Sequence, residues 1–361
     1  HPSLGIRSRR EEIALLHEGG WAMVEVYVGL DVSDKSTHVC VVDGSGVVVW
    51  SGACATDPGV IARTLKTRAR GLVRVILETG PLSAFLYHGL VERGVAVTCV
   101  CARHAKGVLS ARVNKSDPHD AEGLAQMART GWFKAVRIKQ EATHMDRARL
   151  KIREQLIDAR QAIAGQLRGL LKLFGLRLGK VTTPNKRRER LTALFALKPE
   201  LEPILAPLIE SLEALEAQIG RSSKQLAAQA AADPVTQRLM TAPGVGPITA
   251  LVYKASIEDP NRFARGEDAG AFAGLAPRRN QSGERDHKGR ISKAGDPMLR
   301  AALYESANSL LARVKRPCAL QAWGQRLAET KGPKRARVAV ARKLAILLHR
   351  LWQSETEFRW A

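Results

Sequence analysis

The chain has 361 residues, 45% hydrophobic and 25% charged, enough for two or three domains with real cores. It carries 57 Lys and Arg against 35 Asp and Glu, a formal net charge of +22. That balance points to an anionic partner, nucleic acid before a membrane surface, because no basic amphipathic anchor and no apolar run of about 18 residues is present.

Residues 1–22 begin with His, contain Arg-Ser-Arg-Arg-Glu-Glu and lack a signal-type apolar core, and Met23 directly precedes the first strand. They are expected to be a disordered or spurious extension. From 23 to 140 the pattern is α/β. Val24, Val26 and Val28 alternate up to Asp31, Thr37–Val42 and Val47–Trp50 flank an Asp-Gly-Ser-Gly turn, and Val73–Leu77 runs into Glu78. Helices are expected at 58–70, 81–93 and 117–128, the last capped by Asp117 with Pro118 as its first residue, and a further strand at 95–100. Three strands in series, then strands alternating with helices, predict a mixed sheet with flanking helices.

From 141 to 232 the chain reads as a helical arm. Leu156, Ile163, Leu167, Leu170 and Phe174 are followed, beyond a loop at Thr182–Asn185, by Leu201, Leu205, Leu208, Leu212, Leu215 and Ile219. The second run is an a/d seam, so an antiparallel coiled coil joined by a basic loop is expected, filled by its own partner helix or by a second copy. From 233 to 361 a mainly helical domain is expected. Around Pro243-Gly244-Val245-Gly246-Pro247 it has the look of a helix-hairpin-helix, whose Gly244 and Gly246 either offer backbone N–H groups to a phosphate or simply turn between packed helices. Positive charge concentrates here: residues 278–350 hold 18 Lys and Arg against 5 Asp and Glu.

Two constellations carry chemistry. Asp31 and Glu78 end apolar strands, and Asp117 and Asp120 lie three apart on one helix. Such hard oxygen ligands suit Mg²⁺, with Mn²⁺ as substitute, beside a phosphodiester, whereas singly each is an ordinary cap. Asp34 and Asp43 read as turn residues. The second is a polar, Gly-rich basic loop from Gly274 to Gly295, with Ser282 among Arg278, Arg279, Arg285, Lys288, Arg290 and Lys293. Ser282 is either a nucleophile activated by positive charge or a donor in a phosphate-binding loop; Ser292 fits a capping role better. Cys40, Cys54, Cys99, Cys101 and Cys318 have no framework spacing and read as buried free thiols of a reducing, cytoplasmic compartment.

The order Gly-Leu-Asp-Val-Ser, Leu-Glu-Thr-Gly, Lys-Ser-Asp-Pro-His-Asp-Ala, a helical arm, Pro-Gly-Val-Gly-Pro and Gly-Leu-Ala-Pro with the later Ser-Gly and Gly-Arg-Ile-Ser-Lys resembles the DEDD-type insertion-sequence transposases, from about Met23 onward. The resemblance implies an RNase-H-like (RuvC-like) N-terminal domain and a C-terminal serine transposase domain. It implies that Asp31, Glu78, Asp117 and Asp120 bind Mg²⁺ and that Ser282 is the nucleophile that links covalently to DNA. It further implies a homo-oligomer, dimer or tetramer, acting on element ends and target DNA with a structured non-coding guide RNA, the bridge RNA. The alternatives are a branched-DNA endonuclease using the acids and water alone, and a silent nucleic-acid binder.

Overall fold

The computed structural model describes residues 24–110, 116–181, 183–283 and 285–360, so the expectation for residues 1–22 lies outside the described residues. The described chain divides into two compact units, up to Lys139 and from Gln140 onward.

In the first unit β1 (Val26–Val32), β2 (Ser36–Asp43) and β3 (Val48–Ala55) form an antiparallel meander. Asp43 makes its turn, accepting hydrogen bonds from Ser45 N, Ser45 Oγ and Val47 N, and these, the Ser45 hydroxyl first, hold its carboxyl below the usual range. Helix α1 (Pro58–Arg68) crosses to β4 (Leu72–Glu78), and α2 (Ser83–Val91) crosses to β5 (Val97–Val100). The sheet order is β3-β2-β1-β4-β5, with β4 parallel to both β1 and β5.

Alternation assigns the two faces of this sheet. Val26, Val28, Leu30, Val75 and Leu77 pack against Ile61 and Leu65 of α1 and Leu86 and Leu90 of α2. The opposite face is covered by α3 (Ala102–Leu109), a short helix not expected from the sequence, and α4 (Asp117–Thr130), through Ala121, Leu124, Ala125 and Ala128. Ser116 occupies the cap of α4 and Asp117 its first turn, so the helix starts one residue earlier than the sequence suggests.

In the second unit α5 (Glu141–Leu173) and α7 (Leu201–Ala232) form the arm, and α6 (Pro184–Phe195) replaces the expected basic loop at its tip. The seam is filled within the chain at both ends. Leu167, Leu171, Leu191, Phe195, Leu201, Leu205 and Leu212 bury together at the tip, and Leu150 joins Leu226 and Ala230 at the base. Between these clusters Leu156, Leu215 and Ile219 are only half-buried, as are Ile163 packed against the tip cluster and Leu208 beside it. The rest is α8 (Pro234–Met240), α9 (Pro247–Ile257), α10 (Gly266–Phe272), α11 (Pro297–Ala312), α12 (Ala319–Lys331) and α13 (Pro333–Gln353) around Tyr253, whose hydroxyl donates to Ala345 O at 2.7 Å. The segment expected to be a basic loop is instead a β-hairpin, β6 (Pro277–Ser282) and β7 (Arg285–Ile291). Its strands are polar on both faces, so no period-2 apolar signal marks them. All five cysteines are free thiols, with Cys40, Cys99 and Cys318 buried; burial pushes Cys99 up to about 11. Among the described residues no helix is long and apolar enough to cross a membrane.

Candidate active site

The acids gather at one edge of the first unit's sheet for reasons visible in the register. Tyr27, Gly29 and Asp31 alternate onto the α4 face of β1, and Ile76 and Glu78 onto the same face of β4. Leu30 pairs with Leu77, so Asp31 and Glu78 follow side by side at the C-terminal ends of parallel neighbours. The direction of α4 completes the arrangement. Its Ala121 and Ala125 backbone lies over Gly29, while Gln126 Nε2, farther along, donates to Gly46 O at 2.7 Å in the turn that flanks the start of β1. Helix α4 therefore runs antiparallel to β1, and its N-terminal turn, with Asp117 and Asp120, faces the edge where Asp31 and Glu78 end their strands. Asp117 is one turn before Ala121 and Asp120 one turn before Leu124, so both continue the line of the apolar stripe beyond its buried part. Asp31, Glu78 and Asp120 are partly buried and Asp117 is exposed.

Gly29 is what lets the helix sit this close. A Cβ there would stand 2.1 Å from Ala121 O and 2.4 Å from Ala125 N. The donor set consists of hard oxygens only, which fits Mg²⁺ or Mn²⁺. Among the described residues, however, no three His, Cys, Asp or Glu side chains stand close enough together to grip one ion.

Ser282 lies in the second unit. It pairs with Arg285 across a two-residue turn in which Gly283 adopts φ +56°, a left-handed value that favours glycine. Ser282, Arg278, Arg279, Arg285 and Arg290 are all exposed. Lys288 lies in β7, and Lys293, exposed, follows it. Arg279 is turned to its own ribbon, donating through Nε and an Nη to the two carboxylate oxygens of Asp286 at 2.9 and 3.0 Å. The root of the hairpin is fixed: Ser292 N donates to Ala276 O, and Lys293 N to Gly274 O. Ser292 Oγ accepts from Ala294 N at 3.3 Å, while the cap of α11 is Asp296.

Asp296 has a second task. Arg147, near the start of α5, donates to Asp296 Oδ2 at 2.6 Å and to Ser256 Oγ at 3.1 Å, and Ser256 Oγ donates to Asp296 Oδ2 at 3.0 Å. Burial alone would raise the Asp296 carboxyl; the Arg147 guanidinium, the Ser256 hydroxyl and the Leu299 N–H outweigh it and hold it below the usual range. This cluster ties the arm to α9 and α11 beside the hairpin root.

The two turn glycines differ. Gly244 has φ +79°, and a Cβ on it would lie 2.5 Å from Ser306 O of α11, so packing and turn geometry account for it. Gly246, the cap of α9, faces open space and leaves the helix start approachable. The sequence alone singles out no role for His287. In the hairpin it occupies the position diagonal to Ser282 on the same face, at a Cα separation of about 7–8 Å typical of such neighbours. Its signal was its even spacing from Arg285, readable only once the register is known.

Residues 28–175 match a DEDD-type transposase family, described as Transposase, and residues 236–323 match the Transposase IS116/IS110/IS902 family. The chain is 29% identical to the Transposase for insertion sequence element IS1111A of Coxiella burnetii, over 98% of this chain and 97% of that protein. It is 31% identical to a Probable family 20 transposase of Pseudomonas aeruginosa, over 75% of this chain and 81% of that one. It is also 29% identical to the Transposase for insertion sequence element IS1328 of Yersinia enterocolitica, over 56% and 60%.

Proposed function

The chain belongs to the insertion-sequence transposases of the IS116/IS110/IS902 family, enzymes that cut and rejoin DNA, and from that premise we propose that it does so through Ser282. The observation that carries the proposal is the presentation of Ser282 at the exposed tip of an arginine-rich hairpin, opposite Arg285.

Ser282 Oγ attacks the scissile phosphorus, an Oγ–P bond forms, and the P–O bond to the departing strand breaks. The serine proton passes to His287, directly or through one water, and the departing oxygen takes up a proton. Arg285 stabilises the charge that builds on the phosphoryl oxygens. Because one phosphate ester replaces another, the step conserves bond energy and rejoining is its reversal with a new strand end. Asp31, Glu78, Asp117 and Asp120 would hold a divalent ion, Mg²⁺ or Mn²⁺, which when bound supplies charge stabilisation to phosphate oxygens. The sharing of one sheet edge by all four supports that assignment.

The partners are element-end and target DNA and a structured guide RNA whose base pairing selects sequence, in a homo-oligomer whose acids and serines act within or between copies. Gly246, Arg278, Arg290 and Lys293 then contact backbone rather than bases.

The test is a suicide DNA substrate carrying an element end, incubated with Mg²⁺. Wild-type protein is expected to accumulate a covalent adduct that maps to Ser282, and Ser282→Ala to give none. Persistence of adduct in Ser282→Ala removes the serine. Free 5′-phosphate products without adduct in the wild type favour the endonuclease. Asp31→Ala is expected to abolish strand exchange, and unchanged exchange removes Asp31 from the site.

A further inference from the structure

We infer that the groove between α12 and α13, at the root of the serine hairpin, is a binding site for one unpaired nucleotide of a DNA or RNA strand. The inference rests on the transposase reading but not on Ser282 being the nucleophile.

The groove encloses about 430 Å³ and is lined by Leu275 and Pro277 at the start of β6, Trp323 of α12, and a face of α13. That size falls within the range of small-molecule sites. Two kinds of surface meet in it. Pro277, Val338, Ala339 and Ile346 make an apolar floor, while Arg335, Arg342 and Lys343 bring three positive charges. Among the described residues no carboxylate lines it. None of the three cations has a hydrogen bond or ion pair to a described residue, and the buried Arg342 Nε lacks any partner there. By contrast, Arg187 is paired with Glu216 and Arg279 with Asp286. Here the charges are left over. Lys343 Nζ lies 3.8 Å from the centre of the Trp323 ring, which holds the ammonium at the groove without neutralising it.

The occupant this chemistry selects is anionic at one end and flat and apolar at the other. A nucleotide has both parts: its phosphate is matched to the three cations and its base to the apolar floor and the indole. A paired nucleotide keeps its base in the stack, so only an unpaired or extruded one can enter. Pro277 lies five residues before Ser282 on the same strand, so a nucleotide held here would anchor its strand at the hairpin root.

The test is binding, not cleavage, on the full chain. Arg335 and Lys343 are exposed, so Arg335→Ala/Lys343→Ala is expected to keep the wild-type Tm. The probes are a six-nucleotide oligothymidine, a six-nucleotide oligouridine and a blunt duplex, titrated at several salt concentrations. The double variant is expected to bind at least one single strand on the order of tenfold more weakly, from the loss of charge-assisted contacts to its phosphate. Its log–log salt slope for that strand is expected to fall by up to about 0.7, from the one phosphate the site holds. Duplex affinity is expected to change less than about twofold. Whichever single strand loses more identifies the source as DNA or RNA. Strands containing 5-iodouracil are expected to crosslink to the peptide bearing Trp323, and to lose that crosslink in the variant. Unchanged single-strand affinity, equal losses for single strand and duplex, or crosslinks that all map elsewhere overturn the inference. An acidic peptide that binds the wild type and loses affinity in the variant while the oligonucleotides do not would make the groove a protein site, and equally overturns it. Because no strand is cut, failure of the Ser282 adduct leaves this result unaffected.

Discussion

The acid edge and the serine hairpin place their reactive groups by opposite means. Asp31 and Glu78 end strands buried on both faces, and α4 is pressed onto Gly29 until backbone meets backbone. That scaffold fixes the Cα positions from which the two carboxylates project. Ser282 stands on a two-stranded ribbon whose tip residues are exposed and whose fixed points lie at its root. An isolated ribbon of this kind is marginal by itself. The lesson is that the acids are positioned by folding, whereas the hairpin tip is held only from its root.

The contrast can be broken most sharply at Gly29. Gly29→Ala must push α4 off β1, at a cost of about 3 kcal/mol, the upper end of ordinary overpacking. Scanning calorimetry is expected to show the Tm of the N-terminal unit lowered by roughly 10 °C. A wild-type Tm would mean that the helix is not held against the strand.

Asp296 tests the root of the hairpin. Asp296→Ala removes a cap and strands the partly buried Arg147, and chemical denaturation is expected to give a loss of about 3 kcal/mol. Asp296→Asn keeps the cap and removes only the charge. Because the folded carboxyl is held below its unfolded value, the wild type's advantage over Asp296→Asn is complete above the unfolded value of about 3.9. It is lost as pH falls through the folded value. An advantage that grew on acidification would contradict the ion pair.

At the tip the expected stability effect is smallest. Arg279→Ala deletes an exposed pair with Asp286, and the Tm is expected to move by less than about 3 °C. If Arg279 also meets DNA, the salt slope of duplex binding falls by about 0.9 in the same variant. A large Tm loss would show the ribbon to be a rigid scaffold after all.

Much of the first unit was legible in the sequence because its signals are local. Alternating Val residues, turn residues such as Asp43 and the Asp117-Pro118 helix start each report on a few neighbouring positions. Helix α3 escaped because its apolar repeat, Ala102, Ala105, Val108 and Leu109, spans only two turns, the tip helix α6 because its apolar residues lie only in its second half, and the β6–β7 hairpin because its strands have no buried face. The arm's seam was visible as a repeat, but which helix fills it was not, since a leucine stripe is satisfied by any apolar partner.

By itself the sequence determined the residue types: four hard carboxylates in three short segments, a serine among arginines, and a large positive charge left for a polyanion. Only tertiary structure decided their geometry. Strand parity put Asp31 and Glu78 on one face, the contact at Gly29 set the direction of α4 and so the edge to which Asp117 and Asp120 belong, and hairpin register put His287 on the side of Ser282. The physical reason is that composition and period are properties of a few adjacent residues, whereas the side on which a carboxylate or an imidazole emerges depends on hydrogen-bond register and close packing between segments far apart in the chain.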